Sequence, residues 1–188
     1  MNTQSTLKVA LKEWAATIEA LRQGRQILLL RKGGLHDAGG VFELEHHQFW
    51  LFPTQLHQAS ALLKPQHRDL MEVTSHIDKQ NIEIQCFAQV ERVWQLDEAA
   101  QSILEHMPHI WSDDYLTLRF GYQPSHSLAA IALRVWRLPQ AQVVQPDSKY
   151  FGCRSWVELS QPLSPEGATP VLSDADFGAH LEALARIG

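Results

Sequence analysis

The chain has 188 residues, 45% hydrophobic and 20% charged, with a formal net charge of −5. That length and apolar share fit one globular domain over 1–188 and exclude a disordered chain. The longest aliphatic run, Ile27 to Leu30, is far short of the ~20 residues a membrane-spanning helix needs. Met1 to Thr6 is polar, so no secretory signal is expected, and two cysteines, Cys86 and Cys153, make no disulfide framework. Both observations point to a reducing, cytoplasmic setting.

Leu7, Leu11, Trp14, Ile18 and Leu21 recur at spacings of four and three, which predicts one amphipathic helix with Trp14 buried in its stripe and Gly24 as its stop. Gln26 to Arg31 reads as a buried strand. Gly33-Gly34 and Gly39-Gly40 flank a loop, and Val41 to Glu45 alternates like a second strand. Phe49 to Phe52 is a further strand, stopped by Pro53. Gln55 to Leu63 is expected as a short helix and Pro65 to Met71 as a turn.

Asn81 to Leu96 carries Ile82, Ile84, Val90 and Val93 and reads as a long strand or hairpin. Its alternation slips near Cys86-Phe87, the mark of a bulge. Asp97 caps a helix through Met107, and Ser112-Asp113-Asp114 opens another turn. Leu128 to Leu138 reads as a central strand and Ser155 to Leu159 as the last one. Residues 161–169 form a linker, and Ser173 caps a final helix whose stripe is Phe177, Leu184 and Ile187 with Leu181. Helices and strands mix without regular βαβ alternation. The expected class is therefore α+β, a curved, mostly antiparallel sheet or small barrel flanked by helices.

The net charge hides an asymmetry. Residues 1–35 hold six bases and two acids, 36–133 five bases and thirteen acids, and 134–154 four bases and one acid. Two basic blocks bracket an acidic middle, and a positive face results if they meet in space. Ten histidines invite a metal, but no H-x-x-x-H or H-E-x-x-H spacing sets two ligands on one helical face, so no metal site and no cofactor is expected. Phosphate-loop, dinucleotide-binding and G-x-S-x-G patterns are absent.

Two constellations remain. Arg31-Lys32-Gly33-Gly34 ends a buried strand with two cations beside a glycine loop, a place where phosphate can meet charge and backbone N–H groups. Arg154-Ser155-Trp156 adds a guanidinium and an aromatic plane, a pairing suited to stacking a base. Together they favour a nucleic-acid or nucleotide-binding module, with RNA or a nucleotide as partner and no membrane. The alternative is a metal-dependent phosphodiesterase. Glu83 and Gln85 share a strand face, with Asp78 upstream and Glu13 on the preceding helix, and this resembles the restriction-endonuclease-like signature in its glutamine variant, although Asp78 lies closer to Glu83 than that family's spacing. A protein-interaction domain is the third reading.

Several strings resemble the bacterial family known as domain of unknown function 1802: Leu11-Lys12-Glu13-Trp14, Leu30 to Gly34, Leu51-Phe52-Pro53-Thr54, His109-Ile110-Trp111 and Cys153 to Leu159. The resemblance covers about 7–160 and implies no established activity. More distantly, the chain is similar to the PUA-like barrel of the ASCH type, in which G-x-K-x-x-E-x-R leads into the first barrel strand and a cleft binds RNA or modified nucleosides. Gly24 and Arg31 match that motif, while Gln26 and Leu29 replace its lysine and glutamate. The substitution implies binding in preference to catalysis.

Overall fold

A computed structural model describes residues 6–32, 44–76, 78, 80–122, 127–150 and 155–187. The elements are β1 (Leu7–Trp14), α1 (Ala15–Arg22), β2 (Leu28–Lys32), β3 (Gln48–Thr54), α2 (Asp69–Val73), β4 (Ile82–Leu96), α3 (Ala100–Leu104), α4 (Asp113–Gly121), β5 (Leu128–Val144), β6 (Trp156–Leu163), β7 (Thr169–Pro170) and α5 (Asp174–Leu184). The class is α+β. One sheet runs β2-β5-β4-β3-β1-β6, with β7 added on β5, and only the β1–β3 pairing is parallel. No helix among the described residues is long and apolar enough to cross a membrane.

The first element differs from the expected helix. Leu7 to Trp14 is a strand wedged between β3 and β6, and the helix begins only at Ala15. Leu7, Val9 and Leu11 also fit a period of two, and two-sided strand pairing overrides the helical spacing. Trp14 thus sits at the strand–helix junction, half-buried rather than enclosed, with its ring edge-on to Tyr115 at 5.2 Å. Gly24 does end the helix, at φ +70°, where an added Cβ would lie 2.6 Å from Leu172.

Other boundaries shift for local reasons. Gln55 to Leu63 holds only a 3₁₀ turn at Ser60–Leu62, because His57 takes a positive φ of 62° and the glutamines bond outward. Gln55 Nε2 donates to Thr74 O at 2.7 Å, and Gln58 Oε1 accepts from Ala16 N at 2.9 Å, capping α1 from 42 residues away. β3 continues through Pro53 to Thr54. β5 runs on to Val144 and β6 to Leu163, so part of the expected linker is strand. The strand expected at Val41 to Glu45 falls largely outside the described residues. Ser112 and Ser173 are caps as expected, accepting from Tyr115 N and Asp176 N. Asp97 accepts from Ala100 N, but the helix there is only Ala100–Leu104, with Ala99 at its N-cap, and stops short of Met107.

The sheet separates the apolar core into layers. Leu28 and Leu30 pack with Ala16, Ala20, Leu116 and Phe177 from the helices and with Trp111 just before α4. Leu29 joins Leu11, Phe49, Leu51, Cys86 and Ile131, while Trp50, Phe52, Ile84 and Phe87 face a third cluster. Leu11 and Leu29 share one cluster although β2 ends the strand order and β1 lies next to the other end, so the sheet must curl. The polar counterpart is an ion pair, Arg31 Nη2 to Glu13 Oε2 at 2.9 Å, with the two side chains 13% and 6% exposed. Arg31 Nη2 also donates to Lys12 O at 2.5 Å. β2 and β6 themselves make no ladder among the described residues.

Five bases of the two blocks, Arg22, Arg25, Arg31, Arg134 and Lys149, meet an acid directly. Arg31 in particular is not the exposed head the sequence reading required. Removing one partner of a largely buried pair leaves the other charge uncompensated. Glu13→Ala or Arg31→Ala should therefore each cost ~3–5 kcal/mol in denaturant unfolding, and replacing both with methionine should recover much of that loss.

His109 supplies a pH-dependent element. It is 2% exposed, its Nε2 donates to Leu104 O at 2.6 Å and its Nδ1 accepts from Trp111 N at 3.2 Å. Burial, with Lys64 nearby, pushes its pKa down to about 4. The unfolded chain binds this proton at ~6.5 while the fold refuses it, so stability falls as pH drops from ~6.5 toward 4, by about 3 kcal/mol in full. His109→Gln should flatten the unfolding free energy over that window.

Candidate functional site

α1, β3, β4 and the segment after α2 enclose a cleft of about 250 Å³. Its floor is apolar, from Ala15, Ile18, Leu51 and Cys86, and its polar lining comes from Glu19, Arg22, Asp78, Asn81, Glu83 and Gln85, with Thr74 and His76. The volume lies just below the ~300–1,000 Å³ of sites for drug-sized ligands, which leaves room for one small ring system.

α1 delivers the charged pair. Its start is fixed by Glu13, whose Oε1 accepts from Trp14 N at 2.8 Å, and by the Gln58 cap. One turn later Arg22 forks onto Glu19, with Nε to Oε2 and Nη2 to Oε1 both at 2.6 Å. Gln23 Nε2 adds a bond of 2.5 Å to Glu19 Oε1. Burial raises the Glu19 pKa, but the hydrogen bonds from Arg22 and Gln23 outweigh it and hold the carboxyl below its usual range. The same contact raises Arg22. A guanidinium locked in this way presents a pre-organised donor edge.

β4 delivers the opposing edge through a broken register. Ile84 pairs with Gln142, but Cys86 pairs with Arg137, so Gln85 faces the irregular stretch of β5 that contains Pro139. Proline lacks the N–H a ladder needs. The break turns both Gln85 and Cys86 to the cleft although they are consecutive, and Glu83 joins them. Re-aiming side chains is what bulges do beside sites. Burial pushes the Cys86 thiol up to about 12, so it serves as floor and not as nucleophile.

Asp78, Glu83 and Gln85, proposed from sequence as a set, all line this cleft. Asp78 is engaged: Oδ2 accepts from Asn81 Nδ2 at 2.8 Å and Oδ1 from Gln80 N at 2.7 Å, and these bonds hold its carboxyl low. Among the described residues no three His, Cys, Asp or Glu side chains are placed to hold a metal ion.

The basic set lies elsewhere. Arg31 is in its ion pair with Glu13, and Lys32 Nζ donates to Phe120 O at 3.0 Å. Desolvation and Arg119 together lower the Lys32 pKa. Ser155 O accepts from Lys12 N at 2.8 Å, and Trp156 is half-buried, edge-to-face with Phe49 at 5.0 Å and His46 at 5.1 Å. Gly33, Gly34 and Arg154 lie outside the described residues. The cleft is thus not basic, since one guanidinium faces the carboxylates of Glu19, Asp78 and Glu83. Sequence reading missed Glu19 and Arg22. Their signal is an i, i+3 acid–base pair inside an otherwise apolar helical stretch.

The family model for a domain of unknown function, DUF1802, matches residues 10–183. The chain belongs to this family. The DUF1802 chain is also similar to solved ASCH structures from Zymomonas mobilis. One, at 13% identity and a TM-score of 0.44, covers 95% of this chain and 94% of its own. A mutant of that protein, at 14% and 0.45, covers 94% and 96%. No curated protein matches the DUF1802 chain.

With both Asp78 oxygens engaged, Mg²⁺ or Mn²⁺ at millimolar concentration should leave the melting temperature of this DUF1802 protein unchanged. A ligand that bound only the folded state would raise it. A metal-dependent rise that Glu83→Ala removes would contradict this geometry.

Proposed function

We infer that this protein is a binding module for a nucleic-acid or nucleotide-type ligand, and that a single unstacked base enters the cleft between α1 and β4. The supporting observation is the pairing of a Glu19-locked Arg22 with an apolar floor and an amide-and-carboxylate edge in a cavity sized for one ring system. Sequence-specific recognition of single strands works in this way, with a base splayed out, its face on apolar surface and its edge on polar groups. Arg31, Lys32 and Trp156 are not in the cleft. Lys32, at the end of β2, remains suited to contacts with the backbone of a longer strand outside it. Arg31 acts through the fold.

The phosphodiesterase reading draws support from Asp78, Glu83 and Gln85 sharing the cleft. That the described residues bring no three His, Cys, Asp or Glu side chains together favours binding over metal-dependent catalysis.

The test is equilibrium titration of labelled single-stranded RNA and DNA, and of free nucleosides, at two salt concentrations. Binding is expected at ~50 mM salt, where the electrostatic contribution is strong. Arg22→Lys, which keeps the charge and loses the fork, should weaken it about tenfold. Lys32→Ala should lower the log–log salt slope for single strands by about 0.7 and leave nucleoside binding unchanged. No binding of any of these ligands at ~50 mM salt would overturn the reading in favour of a protein partner.

A further inference from the structure

Most polar groups around the cleft already have partners. Glu19 and Arg22 hold each other, Asp78 is bonded by Asn81 and Gln80, Asn81 Oδ1 accepts from Gln145 Nε2, and Thr74 Oγ1 donates to Leu70 O. Glu83 and Gln85 differ. Both line the cleft, they alternate onto one side of β4, and neither side chain makes a hydrogen bond or ion pair among the described residues. Gln85 is half-buried opposite the register break, where its backbone is diverted from the ladder to aim the amide.

An ionised carboxylate only accepts hydrogen bonds, whereas a primary amide both donates and accepts. Set two residues apart on a strand, the heads lie ~7 Å apart at the backbone, a span that one planar ring edge can bridge. With Asp78 also lining the cleft, Glu83 makes its side negative, and that field repels the lone pairs of an exocyclic carbonyl oxygen and attracts an exocyclic N–H.

We propose that Glu83 and Gln85 form a specificity edge that selects a base bearing an exocyclic amine over its oxo counterpart, Glu83 accepting from the amine and Gln85 pairing with the adjacent ring position. The proposal rests on the reading of the cleft as a base site and adds what that site selects. Adenine N6 and cytosine N4 are donors of this kind, and guanine N2 is its minor-groove equivalent. No bond is made or broken. The selectivity is a difference of two affinities.

Calorimetric titration of the full chain with matched nucleosides tests it: cytidine against uridine, and adenosine against inosine. Each pair differs in the amine and little in size. The wild type should bind the amino member about tenfold more tightly, the lower end of what one well-placed base contact supplies. Glu83→Gln should bring both ratios close to one, because an amide can serve either partner. The melting temperature should not move, since Glu83 is exposed. Gln85→Ala should weaken both members of each pair while leaving the preference for the amine. Equal binding of cytidine and uridine by the wild type, or a preference that survives Glu83→Gln, would overturn the proposal while the base site itself stood. No binding of any nucleoside would overturn the base site as well.

Discussion

A single carboxylate, Glu13, sets the geometry on which the rest of this structure depends. Its Oε2 pairs with Arg31 at 2.9 Å, joining β1 to a strand at the far end of the sheet's hydrogen-bonding order. Its Oε1 accepts from Trp14 N at 2.8 Å, at the point where the chain leaves β1 for α1. The first bond holds the sheet in its curl and the second fixes where the helix starts. A buried ion pair is weak evidence of net stability, because desolvation offsets much of the attraction. Its value here is positional: it specifies which strands approach each other where no backbone ladder does so.

Two consequences converge on one cavity. Starting α1 at Ala15 places Ile18, Glu19 and Arg22 over the ends of β3 and β4. The proline-containing irregularity in β5 frees Gln85 from register and directs it, with Cys86, toward the same space. One wall is a helix carrying a rigid guanidinium–carboxylate pair, and the other is a strand carrying unengaged polar heads. The recognising heads of both walls sit on a helix and a strand, as precise recognition requires.

Much of the fold was legible in the sequence, and the failures have physical causes. The β4 strand, its bulge near Cys86 and the Ser112 and Ser173 caps are local signals, and they appear where the sequence places them. Leu7 to Trp14 misled because its apolar residues satisfy both a helical and a strand period, and only pairing on both sides decides between them. Arg31 and Lys32 looked like free cations at a strand end. That Arg31 meets Glu13 depends on the curl of the sheet, a tertiary fact with no local trace. The pattern of Asp78, Glu83 and Gln85 suggests metal chemistry, and the structure brings the three to one cleft, where Asp78 is bonded by Asn81 and Gln80. Arg22, the cleft's one guanidinium, was read as part of a basic block because sequence does not show which acid a base will meet.

The central claim is that ligand recognition occurs between α1 and β4, and not at the basic strand end. Backbone amide NMR on isotopically labelled protein titrated with cytidine tests this most directly, because it locates the ligand without presuming any residue's role. The account predicts saturable shifts at Ile18 to Arg22 and at Glu83 to Ala88, with Arg31, Lys32 and Trp156 unmoved. Shifts confined to Arg31, Lys32 and Ser155-Trp156, with the α1 and β4 signals unchanged, would contradict it.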